Sequence, residues 1–409
     1  MEPATQLDRL RALLAEILPH NRFVARRLGD FGDLRDLRDF ADFAARVPFT
    51  HKSELVADQA AHPPYGSNLT FPTAAYTRFC QTSGTTGRPL AILDTNESWQ
   101  WMLGNWRRIY AAVGVAPGAR VYFAFSFGPF LGFWTAFEAA AQHGCLCLPG
   151  GGLSSAARVR AIIEHRAEVL CCTPTYALRL IDVAREENVD LRAAEVRTII
   201  VAGEPGGSVP AVRERIRAGW NGARVVDHYG MTEVGPVAYE DPEREGVLRL
   251  VEESYFAEVI EPGGAESVAE GGIGELVLTP LGRQSWPLLR YRTGDLVKWS
   301  RDAQGIALEG GIIGRADDMV VVRGVNIYPT AVEGVVRTIS EVGEYRVVVS
   351  RHGAMAELEV QIESADDAAA PRLASALNQA FALRIPVTRV VAHSLPRFEM
   401  KARRWVDAQ

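Results

Sequence analysis

Between Arg120 and His228 the chain switches repeatedly between two hydrophobic periods, and this alternation constrains the fold more than any other feature. Short apolar runs at Arg120–Phe127, Cys145–Leu148, Glu168–Thr173, Arg197–Ala202 and Arg224–His228 read as strands. The segments between them, Gly132–His143, Ala156–His165, Pro174–Glu187 and Val209–Ala218, read as helices; Pro174 suits a first helical turn, where its missing N–H costs nothing. Strands joined through helices pair in parallel, and helices must cover both faces of such a sheet. The expected fold class is therefore α/β, with a large N-terminal domain of mostly parallel sheets flanked by helices.

Residues 5–60 read as helical, with Leu10, Leu13, Leu14 and Ile17 on one face, and Phe49–Glu54 carries a possible helix start. From Gly246 to Trp299 helical spacing disappears, and Gly274–Thr279 and Asp295–Trp299 read as strands of a β-rich subdomain at about 240–313. Past Gly314 comes a small, mobile α+β domain. Its expected elements are the strand Met319–Arg323, helix Pro329–Ser340, strands Arg346–Ser350 and Ala356–Ile362, helix Pro371–Leu383 and strand Val387–His393. The expected division is 1–315 and 316–409.

A net charge of −6, with no run of Lys or Arg, argues against a nucleic-acid partner. Met1-Glu2-Pro3 is not followed by the apolar core of a signal peptide. The apolar stretch Val121–Phe137 contains Gly128-Pro129 and Gly132, which break it into strand, loop and helix rather than a membrane span. Cys80, Cys145, Cys147, Cys171 and Cys172 show neither C-x-x-C nor zinc-finger spacing. They read as free thiols in a reducing cytoplasm, and no structural zinc is expected.

The chemistry is concentrated in separated motifs. Thr82-Ser83-Gly84-Thr85-Thr86-Gly87-Arg88 interleaves hydroxyls with glycines and ends on a cation, a composition that can line a phosphate with backbone N–H groups and hydroxyls. It lacks the Lys-Ser/Thr pair of a Walker A loop. Gly203-Glu204-Pro205 lies just past a predicted strand, where open α/β sheets bind ligands. Downstream come Asp227-His228-Tyr229-Gly230-Met231-Thr232-Glu233, Tyr291-Arg292-Thr293-Gly294-Asp295, Gly314-Arg315-Ala316-Asp317-Asp318, Arg323-Gly324-Val325-Asn326 and Pro396-Arg397-Phe398-Glu399-Met400-Lys401.

In this order, over roughly residues 76 to 405, these motifs resemble the adenylate-forming superfamily of acyl-CoA ligases, peptide-synthetase adenylation domains and luciferases. The wording from Gly314 to Glu333 is most similar to the phenylacetate-CoA ligase branch. The resemblance implies ATP, Mg²⁺ and coenzyme A as cofactors and a small carboxylic acid as substrate. Thr82–Gly87 would grip the β- and γ-phosphates, with Arg88 where many relatives have lysine. Thr232 would bind the α-phosphate, Glu233 would hold Mg²⁺, and Tyr229, within Asp227–Gly230, would stack on adenine beside Gly203–Pro205. Asp295 would accept the ribose hydroxyls, and Arg315 would add a second ribose contact. Lys401 would catalyse adenylation, although Met400 stands where relatives often have glycine. Asp317 would be the hinge about which the small domain turns, bringing Gly324 to pantetheine.

Phe127, Gly128 and Phe130, with Tyr229 and Gly230, fall where relatives shape the acyl pocket; the aromatic density favours an aryl or arylacetic acid, a medium-chain acid being the other reading. The resemblance implies an aryl acid–CoA ligase. The alternative is a stand-alone adenylation enzyme that loads a carrier-protein phosphopantetheine. A homodimer is compatible with either, and neither needs a membrane.

Overall fold

The structure is a computed structural model and describes residues 5–29, 36–82, 89–352, 355–399 and 401–408. Among the described residues an eleven-stranded sheet forms the backbone of the large lobe. From one edge it runs Leu146–Pro149, Arg120–Phe123, Val169–Cys172, Thr198–Ala202 and Arg224–Met231, all parallel. It continues antiparallel through Gly235–Glu240, Val247–Leu250, Gly305–Arg315, Tyr291–Asp302, Ile273–Pro280 and Tyr255–Ile260. The strands expected at about 240–313 therefore do not form a sheet of their own; they extend the parallel half by edge pairing. A hairpin makes this switch of direction, because Met231 pairs with Gly235 across the turn Thr232–Val234.

The side-chain alternation of the parallel strands sorts the core. Val121, Phe123, Val169, Cys171, Ile200 and Val226 pack with the helices Asn96–Ala112 and Leu131–Gln142. Their neighbours Tyr122, Leu170, Cys172, Ile199, Val201 and Val225 pack with Ser155–Glu164, Pro174–Glu186 and Pro210–Gly219. Successive residues of a strand point to opposite faces, so a fully apolar run serves two cores at once. The first of these strands ends at Phe123, earlier than its apolar run predicts. Phe127 adopts φ +52°, in the left-handed region, so the chain leaves the sheet and turns toward the helix that starts at Leu131.

The N-terminal helices cover the antiparallel half. Leu10, Leu13, Leu14 and Ile17 of Gln6–Ile17 join Leu248, Leu276 and Leu278 in one cluster. Thr50 crosses to the sheet: its N–H donates to the Arg290 carbonyl at 2.9 Å, and its carbonyl accepts from Arg292 N–H at 3.0 Å. This tie sets where the next helix, Lys52–Ala61, begins.

The small lobe has its own core, starting at Val320. Its sheet runs Val387–Val390, Met355–Glu363, Glu344–His352 and Trp405–Asp407, with the helices Pro329–Arg337 and Ala369–Phe381 packed on it. A hairpin of Val320–Val322 and Val325–Ile327 turns at Arg323 and Gly324, both at positive φ (+50° and +85°), the geometry of a tight two-residue hairpin turn. No helix among the described residues is long and apolar enough to cross a membrane.

Below the sheet's switch point lies a buried ion pair. Arg213 holds both oxygens of Glu240 at 2.7 and 2.6 Å, and Glu240 also accepts the Asp227 N–H at 2.8 Å. Arg213→Met leaves the Glu240 carboxylate buried without its counter-charge and should cost about 3–5 kcal/mol in urea unfolding. A loss under about 1 kcal/mol would show that the pair carries no structural weight.

Candidate active site

The polar motifs converge where the parallel strands end and the small lobe meets the large one. Asp295 lies on the strand Tyr291–Asp302, directly opposite Arg315 on Gly305–Arg315. Arg315 Nη1 donates to one carboxylate oxygen at 3.2 Å, and the Tyr229 hydroxyl donates to the other at 2.7 Å. The three residues therefore form one unit, although they come from three strands. Burial pushes the Asp295 carboxyl up to about 6, with the Arg315 charge opposing the rise. Burial also raises the Tyr229 phenol well above its usual range, so it remains a donor at neutral pH.

Glu233 sits in the hairpin turn Thr232–Val234 and is 6% exposed. Lys52 pairs with it at 3.0 Å, and Tyr291 lies against it. A cation already rests on this carboxylate, and among the described residues no cluster of three or more acidic, His or Cys groups stands ready to enclose a metal. One carboxylate beside a phosphate site fits Mg²⁺, which keeps most of its waters and borrows phosphate oxygens. Glu233 is thus the residue that would hold it, and the ion would supply charge neutralisation on the phosphates.

The backbone of that turn is pinned from behind. Arg283 is fully buried and donates from Nη1 to the carbonyls of Thr232 and Glu233, each at 2.8 Å. Its Nε and Nη2 hold the two oxygens of Asp94 at 2.8 and 2.5 Å.

Lys401 arrives from the small lobe. Its side chain is exposed to the cleft and lies against Gly203, where an added Cβ would come within 3.7 Å of Lys401 Cε. The surrounding protein strips enough water to lower its pKa, while the charges of Glu204, Glu233 and Asp295 act in the other direction. Two contacts dock its loop. Glu204 accepts the N–H of Ala402 at 2.8 Å with one oxygen and that of Thr175, in the opposite lobe, at 2.8 Å with the other. Ser155 donates to Glu399 at 2.9 Å and lies within hydrogen-bond distance of Tyr176, which accepts from the buried Arg158 at 2.7 Å.

The structure thus brings together Tyr229, Glu233, Asp295, Arg315, Gly203, Glu204 and Lys401, with partly exposed Thr232 and Gly230 on the adjoining turn and strand. Pro205 is exposed on the same loop as Glu204. The side chains of other expected residues form hydrogen bonds within the large lobe. The Asp227 carboxylate accepts from Ser208 at 2.5 Å within the lobe, and the buried His228 donates from Nδ1 to the Ala238 carbonyl at 2.8 Å while its ring lies 4.2 Å from that of Trp106. Strand alternation sends one of these side chains into each core, away from the cleft. Burial holds Asp227 up at about 6 and His228 down at about 4.

The Thr82 hydroxyl oxygen accepts the Leu90 N–H at 3.0 Å. Ser83, Gly84, Thr85, Thr86, Gly87 and Arg88, and also Met400, lie outside the described residues. Gly324 lies at the tip of its hairpin with no atom within 4 Å of an added Cβ. Asp317 pairs with Arg315 at 3.0 Å just past the last strand of the large sheet. Phe127 packs on Trp134 and Phe137, at 5.2 and 5.4 Å between ring centroids, and Phe130 on Phe133 at 5.7 Å. These rings and Gly128 form a partly exposed aromatic patch.

Lys52, Arg283 and Asp94 were not legible as site residues. Lys52 opens an ordinary amphipathic helix, and Arg283 acts through main-chain carbonyls that carry no residue signature.

A ribose-sized carboxylate–guanidinium–phenol unit, a single acidic cation ligand and a lysine delivered by a second lobe define a nucleotide-binding α/β protein with its site between two lobes. The profile of the AMP-binding enzymes matches residues 63–280, and that of the AMP-binding enzyme C-terminal domain matches residues 324–409. The chain belongs to the AMP-binding enzyme family. It is 33% identical over 367 residues to a phenylacetate-coenzyme A ligase of Thermus thermophilus, covering 88% of this chain and 81% of the relative. A phenylacetate-coenzyme A ligase of Pseudomonas putida is 31% identical over 368 residues, with the same coverage. Among solved structures, 2-hydroxyisobutyryl-CoA ligase in its postadenylation state with R3-HIB-AMP superimposes with a TM-score of 0.93 at 31% identity, over 99% of this chain and 89% of that one. The same ligase in its thioesterification state, with 2-HIB-AMP and CoA, gives 0.74 at 32% identity over 98% and 88%. The lobes here are therefore arranged as in the former state.

Two outcomes test this site. Arg283→Leu strands Asp94 as a buried, unpaired carboxylate and frees the Thr232–Glu233 carbonyls; it should lose about 3–5 kcal/mol, and Asp94→Asn in the same chain should restore part of it. If the double variant is no more stable than the single one, the ion pair is not what anchors the turn. The second outcome concerns pH. The folded pKa of Asp295 lies above its ordinary value of 3.8, so its stabilising contribution is complete at low pH and is lost as pH rises through that interval to about 6. Asp295→Asn removes the loss, so its stability relative to the parent should increase by about 1 kcal/mol between about pH 5 and about pH 7.5 in urea unfolding. A pH-independent difference would refute a buried, costly charge at this position.

Proposed function

We propose that this protein activates a small carboxylic acid with ATP as an acyl-adenylate and then transfers the acyl group to the thiol of coenzyme A. The observation that carries this reading is the placement of Lys401 beside Glu204, Glu233 and Asp295 by a lobe that is otherwise separate. Attack of a carboxylate on the α-phosphorus brings two anions together, and an ammonium held at the mouth of the site stabilises charge that develops only as they meet. Asp295 and Arg315 hold the ribose and fix the phosphate chain in register, so the reacting oxygen need only be aligned. Thr232 would contact the α-phosphate, and Glu233 would hold Mg²⁺, which would supply charge neutralisation on the phosphates. The names of the relatives, all AMP-forming or CoA-dependent ligases, support the same acid–thiol ligase chemistry.

The acid is an aryl or arylacetic acid. The partly exposed rings of Phe127, Phe130, Phe133 and Trp134 supply flat apolar surface at the C-terminal end of the parallel strands, where α/β sheets take their ligands. The division falls at residues 315–316, with Asp317 as the hinge: its pair with Arg315 links the sheet to the small lobe, and rotation there withdraws Lys401 and brings the Gly324 hairpin to the pantetheine arm. Five unpaired cysteines, three of them buried, support a reducing cytoplasmic setting.

Lys401→Ala should reduce ATP–pyrophosphate exchange by about 10²–10³-fold while sparing thioester formation from synthetic acyl-adenylate. Equal losses in both half-reactions would exclude the assigned role. In the parent enzyme, a panel of acids in the exchange assay should favour benzoate- and phenylacetate-type acids over octanoate. Mass spectrometry with CoA, and with a phosphopantetheinylated carrier protein in its place, identifies the acceptor.

A further inference from the structure

The seam between the lobes contains a cavity of about 50 Å³ that none of the proposed chemistry uses. Its walls come from the helices Pro174–Glu186 and Pro210–Gly219 of the large lobe and from Gly343, Glu344 and the Arg397–Phe398 segment of the small lobe. Six arginines line it against only two carboxylates. Five of the six have partners. Arg179 pairs with Glu186 at 2.7 Å, Arg185 with Asp182 at 3.3 Å and Arg337 with Glu333 at 3.4 Å. Arg397 pairs with Glu363 at 2.5 Å and Arg404 with Glu344 at 2.6 Å.

Arg215 is the exception: among the described residues it has no carboxylate within ion-pair distance. Its Nη2 donates to the Val342 carbonyl across the seam at 3.1 Å, and its Nη1 is buried with no hydrogen-bond partner. Burial depresses its pKa to about 10, and the neighbouring Arg337 and Arg185 push the same way while Asp182 and Glu344 oppose them. Even so the group is a cation at neutral pH and can only donate. A buried donor of this kind calls for an acceptor. Water could accept one hydrogen bond but leaves the excess charge uncompensated; an oxyanion answers both needs, and the flat fork of a guanidinium matches its paired oxygens.

We propose that this interdomain cavity binds one tetrahedral oxyanion, a phosphate group seated on Arg215. Both lobes supply the walls, so the anion binds only while they are docked as here and stabilises that docking by mass action. If Lys401 acts in this arrangement, which is the reading proposed above, bound anion favours the first half-reaction and slows the second. Binding itself does not depend on that reading.

The test uses the full chain at constant ionic strength, with its nucleotide site saturated by AMP. Inorganic phosphate should raise the melting midpoint saturably, by about 2–4 °C, and Arg215→Ala should remove most of that rise. Pyrophosphate in a parallel arm separates the two sources of the group: a response at much lower concentration identifies the reaction product as the occupant. Because Arg215→Ala also loses its bond to Val342, wild-type crystals grown with selenate give an independent measurement, with anomalous density expected within hydrogen-bond distance of Arg215 Nη1. A midpoint that does not respond, an equal rise in Arg215→Ala, or selenate density found only elsewhere overturns the proposal. Absence of pyrophosphate exchange in the parent enzyme would instead strike the functional reading and leave the melting experiment intact.

Discussion

A fully buried guanidinium holds the site in shape. Arg283 ties Asp94, at the end of one short strand, to the main-chain carbonyls of Thr232 and Glu233 in the turn where the large sheet changes from parallel to antiparallel. That turn carries Thr232 and Glu233, and the bonds to their carbonyls fix its backbone. A buried charge is costly unless paired and hydrogen-bonded, and here four hydrogen bonds run to Asp94 and to the carbonyls of the turn. Ser285 adds a bond to Asp94 at 3.2 Å, so the loop that carries Arg283 is fastened by the same carboxylate.

The rest of the site depends on two lobes meeting. The large lobe supplies a pre-formed hydrogen-bonded unit of Tyr229, Asp295 and Arg315, joined across neighbouring and distant strands. The small lobe supplies one ammonium. Glu204 is the link, since its carboxylate accepts one N–H from each lobe and keeps Lys401 over Gly203. The bonds across the seam, among them Ala402 to Glu204, Glu399 to Ser155, Val342 to Arg215 and Arg404 to Thr175, are polar and part-buried or buried, unlike the apolar cores on either side of the sheet, so undocking requires no core to open.

The strands between Arg120 and Met231 were legible because a parallel sheet needs apolar side chains on both faces, which leaves unbroken apolar runs in the sequence. The strands after Gly235 were legible as strands but not as part of the same sheet. Edge pairing is a main-chain interaction, and side chains record which faces are buried, not which neighbour is bonded. Tyr229, Glu233, Asp295, Arg315 and Lys401, named from ordered motifs, come together at the cleft, whereas the Asp227 and His228 side chains, within the same motif as Tyr229, bond inside the large lobe. The motif records that this strand is special; only the pleat decides which of its residues face the cleft.

By itself the sequence determined a two-part α/β chain that binds a nucleotide and carries a lysine near its end, because hydrophobic period and motif order are properties of the chain alone. Tertiary structure decided that the β-rich strands prolong one continuous sheet, that Lys52 rests on Glu233, that Arg283 anchors the turn, and that an arginine-lined cavity closes at the seam. All of these depend on charges and carbonyls far apart in the chain becoming neighbours. Coulombic and hydrogen-bonding energies are functions of distance in space, which linear order leaves open.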